Sequence, residues 1–240
     1  TGPMHLVISR TGPFTLFDSV QIDGKTVAAG GTVDYVEART GERYIACPPR
    51  LVSFEYRGPL RVTVRLEGRY EPAPGQQIKD GRCRLKYITR LTAWAGRTDL
   101  RIHHILANSN SRQVYHANIR TASLTIRHMF GRGAEAIAAA PGVAGRLDDN
   151  GSVWLHQGKL SRRYGNPIGD AAKAGLGDRT VWTGSSSNGW LAVRSADRAL
   201  LVCDRDFVGD PPRRLLADSQ RVVVEYITDK LPGREGEPFI

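Results

Sequence analysis

The feature that most constrains this chain is strict two-residue alternation. In "FEYRGPLRVTVRLEGRY", Leu60, Val62, Val64 and Leu66 alternate with Arg61, Thr63, Arg65 and Glu67 behind a Gly58-Pro59 turn. Side chains of a strand point alternately to opposite faces, so this pattern gives one apolar face and one charged face. The same period recurs in "TVDYVEA", "RCRLKYITRLTAW", "LRIHHILANS", "ANIRTASLTIRHM", "GSVWLHQ", "GWLAVRS", "RALLVCDRDF" and "QRVVVEYIT". Many short strands with turns between them predict an all-β chain, a large antiparallel β-sandwich of the supersandwich kind with long loops and little helix.

Turn chemistry divides the pattern. Asp23-Gly24 is a hairpin signal after "FTLFDSVQIDG", and Thr40-Gly41 ends "TVDYVEA". "AGRTD" reads as another turn, and "EPAPGQQIKDG" as a polar loop. One short helix is expected at 135–140, stopped by Pro141. Lys159 to Gly189 reads as a long polar loop, and such loops are functional sites by preference. The tail "DKLPGREGEPFI" reads as a linker. The expected organisation is leading strands over 1–49, a sandwich domain over 50–230 and a tail over 231–240.

Charge and composition narrow the partners. The 240 residues carry 34 Lys and Arg against 24 Asp and Glu, a net charge of +10. Solubility accounts for such a charge, and so does an acidic partner. No Lys/Arg tract marks a nucleic-acid arm, so no nucleic acid is expected. No apolar run approaches the roughly 18 to 20 residues that cross a bilayer, so no membrane partner is expected. The sequence opens on Thr1 and is read as a piece of a longer protein.

The chemistry-bearing motifs are sparse. There is no GxGxxG, P-loop, HExxH or GxSxG, so dinucleotide-binding and hydrolase readings lack support. His103-His104 are adjacent on a strand and point to opposite faces, which argues against a shared metal. Cys47, Cys83 and Cys203 are far apart, with no CxxC, and read as buried small hydrophobes. No cofactor is expected. In "CDRDF", Asp204 and Asp206 share one strand face; they serve either acid–base work on sugars or an Arg–Asp structural pair. Trp94 and Trp154 read as core. Trp182, Trp190 and Tyr164 lie in or beside the long loop and are candidates for stacking on a pyranose face. Arg162 and Arg163 beside Tyr164 pair charge for a carboxylate with a ring for the sugar. The candidate substrate-binding set is Arg162, Arg163, Tyr164, Trp182, Trp190, Arg205 and Asp206, with no catalytic base named.

Read in order, "FEYRGPLRVTVRLEGRY", "LKYITRLTAWAGRTDLRIHHILANS", "SVWLHQ", "NGWLAV", "LLVCDRDFVGDPPRRL" and "RVVVEYI" resemble the central β-sandwich domain of exo-rhamnogalacturonan lyase-like (PcRGLX/YetA-like) proteins, over roughly 50 to 230. The leading strands resemble the join from that family's preceding β-barrel. The resemblance implies a domain that braces an α/α toroid carrying lyase chemistry, an acidic pectic glycan as partner, and an extracellular or periplasmic parent. Two alternatives stand beside it. One is a glycan-binding or structural module of a virion tail or adhesin, and the other is a self-contained carbohydrate-active enzyme built on the sandwich.

Overall fold

The computed structural model describes residues 2–10, 14–76, 85–108, 118–148, 151–158, 161–163, 166–168, 171–209 and 212–228. Among these there is no helix, and every strand pair is antiparallel. The all-β antiparallel expectation holds. The chain forms two compact units, Thr1–Ile119 and Arg120–Ile240. The expected tail over 231–240 and residues 77–81 of the polar loop expected over 71–81 lie outside the described residues.

The first unit runs β1 (Met4–Val7), β2 (Ser19–Ile22), β3 (Lys25–Glu37), β4 (Arg43–Ala46), β5 (Leu51–Arg57), β6 (Arg61–Pro72), β7 (Lys86–Trp94) and β8 (Leu100–Ala107). Pairing follows the chain from β1 to β4; β4 then joins β6, which also takes β5 and β7, and β8 closes on β7. The length of β6 explains its three neighbours. β5 and β4 share one edge, registered at Leu51↔Glu67 and Tyr44↔Pro72, while β7 fills the other.

Hairpin chemistry fixes the register. Asp23 and Gly24 have φ of 49° and 76°, and Ile22 faces Lys25, so two residues with positive φ close the β2–β3 hairpin. The β3–β4 loop is held by buried Glu37, whose Oε2 accepts from the Arg39 and Thr40 amides at 2.9 and 2.7 Å. In "FTLFDSVQIDG" the strand that runs into the Asp23-Gly24 turn starts only at Ser19. Leu16 sits at φ 63°, which breaks the strand, and Phe14, Leu16 and Phe17 are instead buried as an apolar plug.

The core of this unit is aromatic. Tyr35, Tyr44, Tyr70 and Tyr87 are each almost wholly buried. Tyr35 stacks on Tyr44 at 4.9 Å, and Tyr70 meets Tyr35 and Tyr87 edge-on at 5.0 and 5.8 Å. Their hydroxyls find partners, as burial demands. Tyr44 donates to Glu42 and Tyr87 to the Cys47 carbonyl, both at 2.7 Å.

The second unit runs β9 (Ile119–His128), β10 (Glu135–Ala138), β11 (Ala144–Arg146), β12 (Val153–Gln157), β13 (Ser161–Arg163), β14 (Asn166–Ile168), β15 (Ala172–Leu176), β16 (Arg179–Gly184), β17 (Trp190–Arg194), β18 (Ala199–Cys203), β19 (Arg213–Ala217) and β20 (Arg221–Ile227). A larger sheet, β16-β15-β12-β19-β20-β9, packs against a smaller one, β11-β10-β17-β18, through β10 on β12 and β17 on β19. Between them lie Ala136, Ala138, Leu191 and Val193 from one layer, and Val153, Leu155, Leu215 and Ala217 from the other. Buried Gln157 ties a loop into this core: its Oε1 accepts from the Ser187 amide, while the Ser187 hydroxyl donates to the Ala139 carbonyl.

Two expectations are corrected here. The helix expected at 135–140 is β10, because Ala136 and Ala138 pair with Val193 and Leu191, and this tertiary pairing overrides alanine's helix preference. The loop expected from Lys159 to Gly189 contains β13 to β16. Ala172 and Ala174 are completely buried, and Gly177 at φ 55° turns β15 into β16.

Candidate functional site

The four-stranded stretch β5–β6–β7–β8 presents the two faces that the alternation predicts. One face carries Val62, Val64 and Leu66 with Leu91, Thr89 and Tyr87, and with Ile102 and His104. Its inner half is sealed. Tyr70 and Thr89 each hydrogen bond a nitrogen of His104 at 2.7 Å, so this buried imidazole is satisfied on both sides. Burial, with His103 adding, pushes its pKa down to about 4. His103 faces the other side and is exposed, so the expected split of the His pair is realised.

The outer half of the same face is open. Phe54 is 61 % and Leu60 75 % exposed, beside half-buried Val62, Val64, Leu100 and Ile102. The Arg57 guanidinium lies 5.4 Å from the Phe54 ring centre.

On the opposite face the charges pair with one another. β5 shifts register between Phe54 and Tyr56, and the extra residue, Glu55, is re-aimed by this bulge. It takes Arg90 Nε at 2.7 and 3.0 Å and Arg65 Nη1 at 3.3 Å. These bonds, Arg90's first, hold the Glu55 carboxyl below the ordinary carboxylate range. Further along, Arg61 stacks 4.3 Å from the Tyr56 ring centre and Arg97 5.9 Å from that of Trp94. Arg65 is therefore held by a surface ion-pair network.

Of the sequence-predicted site residues, the described Trp182, Trp190 and the pair Arg205 and Asp206 lie on separate elements. Trp182 lies on β16 in the larger sheet and Trp190 on β17 in the smaller one. Trp182 folds against Gly184, and Trp190 stands opposite Cys203. Arg162 and Arg163 lie on β13, and Tyr164 lies outside the described residues. Arg205 and Asp206 are exposed in a turn after β18, because the strand ends at Cys203. The expected shared face of Asp204 and Asp206 is thus corrected. Asp204 turns in, pairs with Arg213 at 3.4 Å and accepts from the Asp206 amide at 3.1 Å. Burial pushes its carboxyl up, against the opposing pull of Arg213. The Arg–Asp structural pair is therefore present, with Arg213 as the partner.

Other expectations are corrected as well. Cys203 is exposed and Cys47 half-buried, so neither is a core hydrophobe. Burial pushes the Cys47 thiol up to about 11. Cys83 lies outside the described residues. Trp94 and Trp154 are half-buried instead of core; Trp154 donates Nε1–H to the Gly177 carbonyl at 2.8 Å. No group of three or more metal-ligating side chains occurs among the described residues.

Fold and faces together define an all-β sandwich module with one open apolar strip and one self-paired charged face. Residues 1–116 match the family model described as the PcRGLX-like protein central beta sandwich domain, the family that the sequence resembles. The match starts at the first residue, ahead of the stretch that carries the resemblance in the sequence, and stops near the end of the first unit. No curated protein matches the chain.

Proposed function

We propose that this chain is an accessory β-sandwich module of a multidomain rhamnogalacturonan lyase-like protein. It braces neighbouring domains, contacts the acidic glycan and leaves bond cleavage to another part of the parent. The observation that supports this reading is the open apolar strip around Phe54 and Leu60, in the unit that matches the family model. Exposed apolar side chains contribute little to a module standing alone and gain when another domain covers them.

The test is a context comparison. Phe54→Ser with Leu60→Ser should leave the urea midpoint of the 240-residue chain almost unchanged, within about 0.5 kcal/mol for surface positions. In the parent protein the same pair should lower thermal stability and open the domain junction to protease. An equal effect in both contexts removes the bracing role. Ultraviolet absorbance of unsaturated uronide, followed with the isolated chain and rhamnogalacturonan oligosaccharides, should stay flat; a rise would make the sandwich itself the enzyme.

A further inference from the structure

One polar row crosses the larger sheet of the second unit. Thr183, Lys173, His156, Arg214, Glu225 and Ser123 are each the registered cross-strand neighbour of the next. Registered partners in antiparallel strands share a face, with their Cβ atoms about 5 Å apart. The row therefore stands on the face opposite Leu155 and Leu215, away from the smaller sheet.

Two members carry unmet hydrogen-bonding capacity. His156 is 2 % exposed, and both its ring nitrogens are buried without a partner. Glu225 gives Oε1 to Arg214 Nη1 at 3.5 Å, but its Oε2 is buried and unpaired. Buried polar atoms are nearly always satisfied, so three such atoms in one cross-strand row, on β12 and on β20 with β19 between them, need an explanation. Elsewhere in the chain His104 is satisfied at both nitrogens, and buried His128 meets the Asp218 carbonyl at Nε2 and leaves only Nδ1 unpaired; His156 is the imidazole with neither nitrogen met.

The row specifies the chemistry that would complete it. Lys173 and Arg214 bring two positive charges and Glu225 one negative, which leaves room for one anionic group. His156 has its pKa pushed down to about 4, first by burial and then by Arg214 and Lys173, so it is neutral. A neutral imidazole offers one N–H and one acceptor nitrogen. The acceptor nitrogen and Glu225 Oε2 both need donors. Chloride and sulfate supply charge without a donor, and a neutral sugar supplies donors without charge. A hydroxy acid supplies both. Trp154, two residues before His156 on the same face, adds an aromatic ring for the C–H face of a sugar.

We propose that the Lys173–His156–Arg214–Glu225 row is a binding site for a sugar acid. Its carboxylate lies between Lys173 and Arg214, and its hydroxyls meet His156 and Glu225. Lys173 and Arg214 keep part of their surface in solvent, which makes their side chains the solvent-facing edge of the site. The inference rests on the glycan-contacting part of the function proposed for this chain, and names the residues and the acid function for it.

The test uses the full 240-residue chain labelled with nitrogen-15 at histidine, titrated with galacturonate, galactose or sulfate. The expected result is a saturable change in the His156 ring signals with galacturonate, at least tenfold weaker with galactose or sulfate. Lys173→Met, at a part-exposed position, and His156→Leu should each weaken galacturonate binding at least tenfold while far-ultraviolet circular dichroism stays native. Equal response to sulfate or to galactose overturns the site, as does unchanged affinity in Lys173→Met. Acidic oligosaccharide held equally by wild type and both variants removes this site and leaves the glycan-contacting reading standing. A wild-type chain that holds no acidic sugar at all removes both.

Discussion

At the scale of single residues, glycine decides where large rings can lie. Gly68 on β6 stands opposite Tyr87 on β7, and a Cβ at Gly68 would overlap the Tyr87 ring and hydroxyl. Tyr87 cannot retreat, because it is wholly buried with its hydroxyl on the Cys47 carbonyl. Gly68→Ala should therefore cost about 2 to 3 kcal/mol by overpacking, read as a lower urea midpoint at unchanged slope. Adding Tyr87→Leu should cost less than the two single changes summed, because the clash is shared; strict additivity would show that the ring is not what the Cβ meets. The sequence supports part of this scale. Alternation alone places His104 inside and His103 outside. It cannot place Trp94 or Trp154, because a large ring at a strand position lies flat over a neighbouring row as readily as it enters a core.

At the scale of elements, the legible parts are those with local chemistry. Asp23-Gly24 announces its hairpin because only residues that tolerate positive φ close a two-residue loop of that hand. Gly24→Ala keeps free space around the new Cβ but forces alanine to φ 76°. The expected loss is about 1 to 2 kcal/mol, and Gly24→Asn should lose less, since Asn tolerates that region. Equal losses for the two variants would remove the backbone explanation. The region from 159 to 189 is not legible for the converse reason. Ala172, Ala174 and Gly175 carry little strand preference, and β15 is a strand because β12 and β16 pair with it on both sides. The polar row is hidden in the same way. His156 is visible in "SVWLHQ", but its neighbours at 173, 214 and 225 are set by register between strands distant in sequence.

At the scale of the whole molecule, alternation and turn spacing reveal an all-β sandwich, because burying one face of each strand leaves few other layer arrangements. The same burial makes the molecule sensitive to acid. His104 in the first unit and His156 in the second are held neutral by burial, both pushed from about 6.5 down to about 4. The unfolded chain takes up a proton at each position as pH falls below 6.5, while the folded chain resists until near 4. Stability from these groups is therefore complete above pH 6.5 and is lost between 6.5 and 4. A displacement of that size corresponds to roughly 3 kcal/mol for each histidine. Urea midpoints measured at intervals from pH 7.5 to 4.5 should fall steadily below 6.5. His156→Leu should remove about half of that fall and raise the midpoint at pH 5, since leucine leaves no unpaired nitrogen in the site. His104→Leu should also flatten the profile, but it should lower the midpoint at pH 7.5 because it strands the hydroxyls of Tyr70 and Thr89. Identical behaviour of the two variants at neutral pH would mean that the imidazoles are equally satisfied, and the case for an incomplete site around His156 would fall with it.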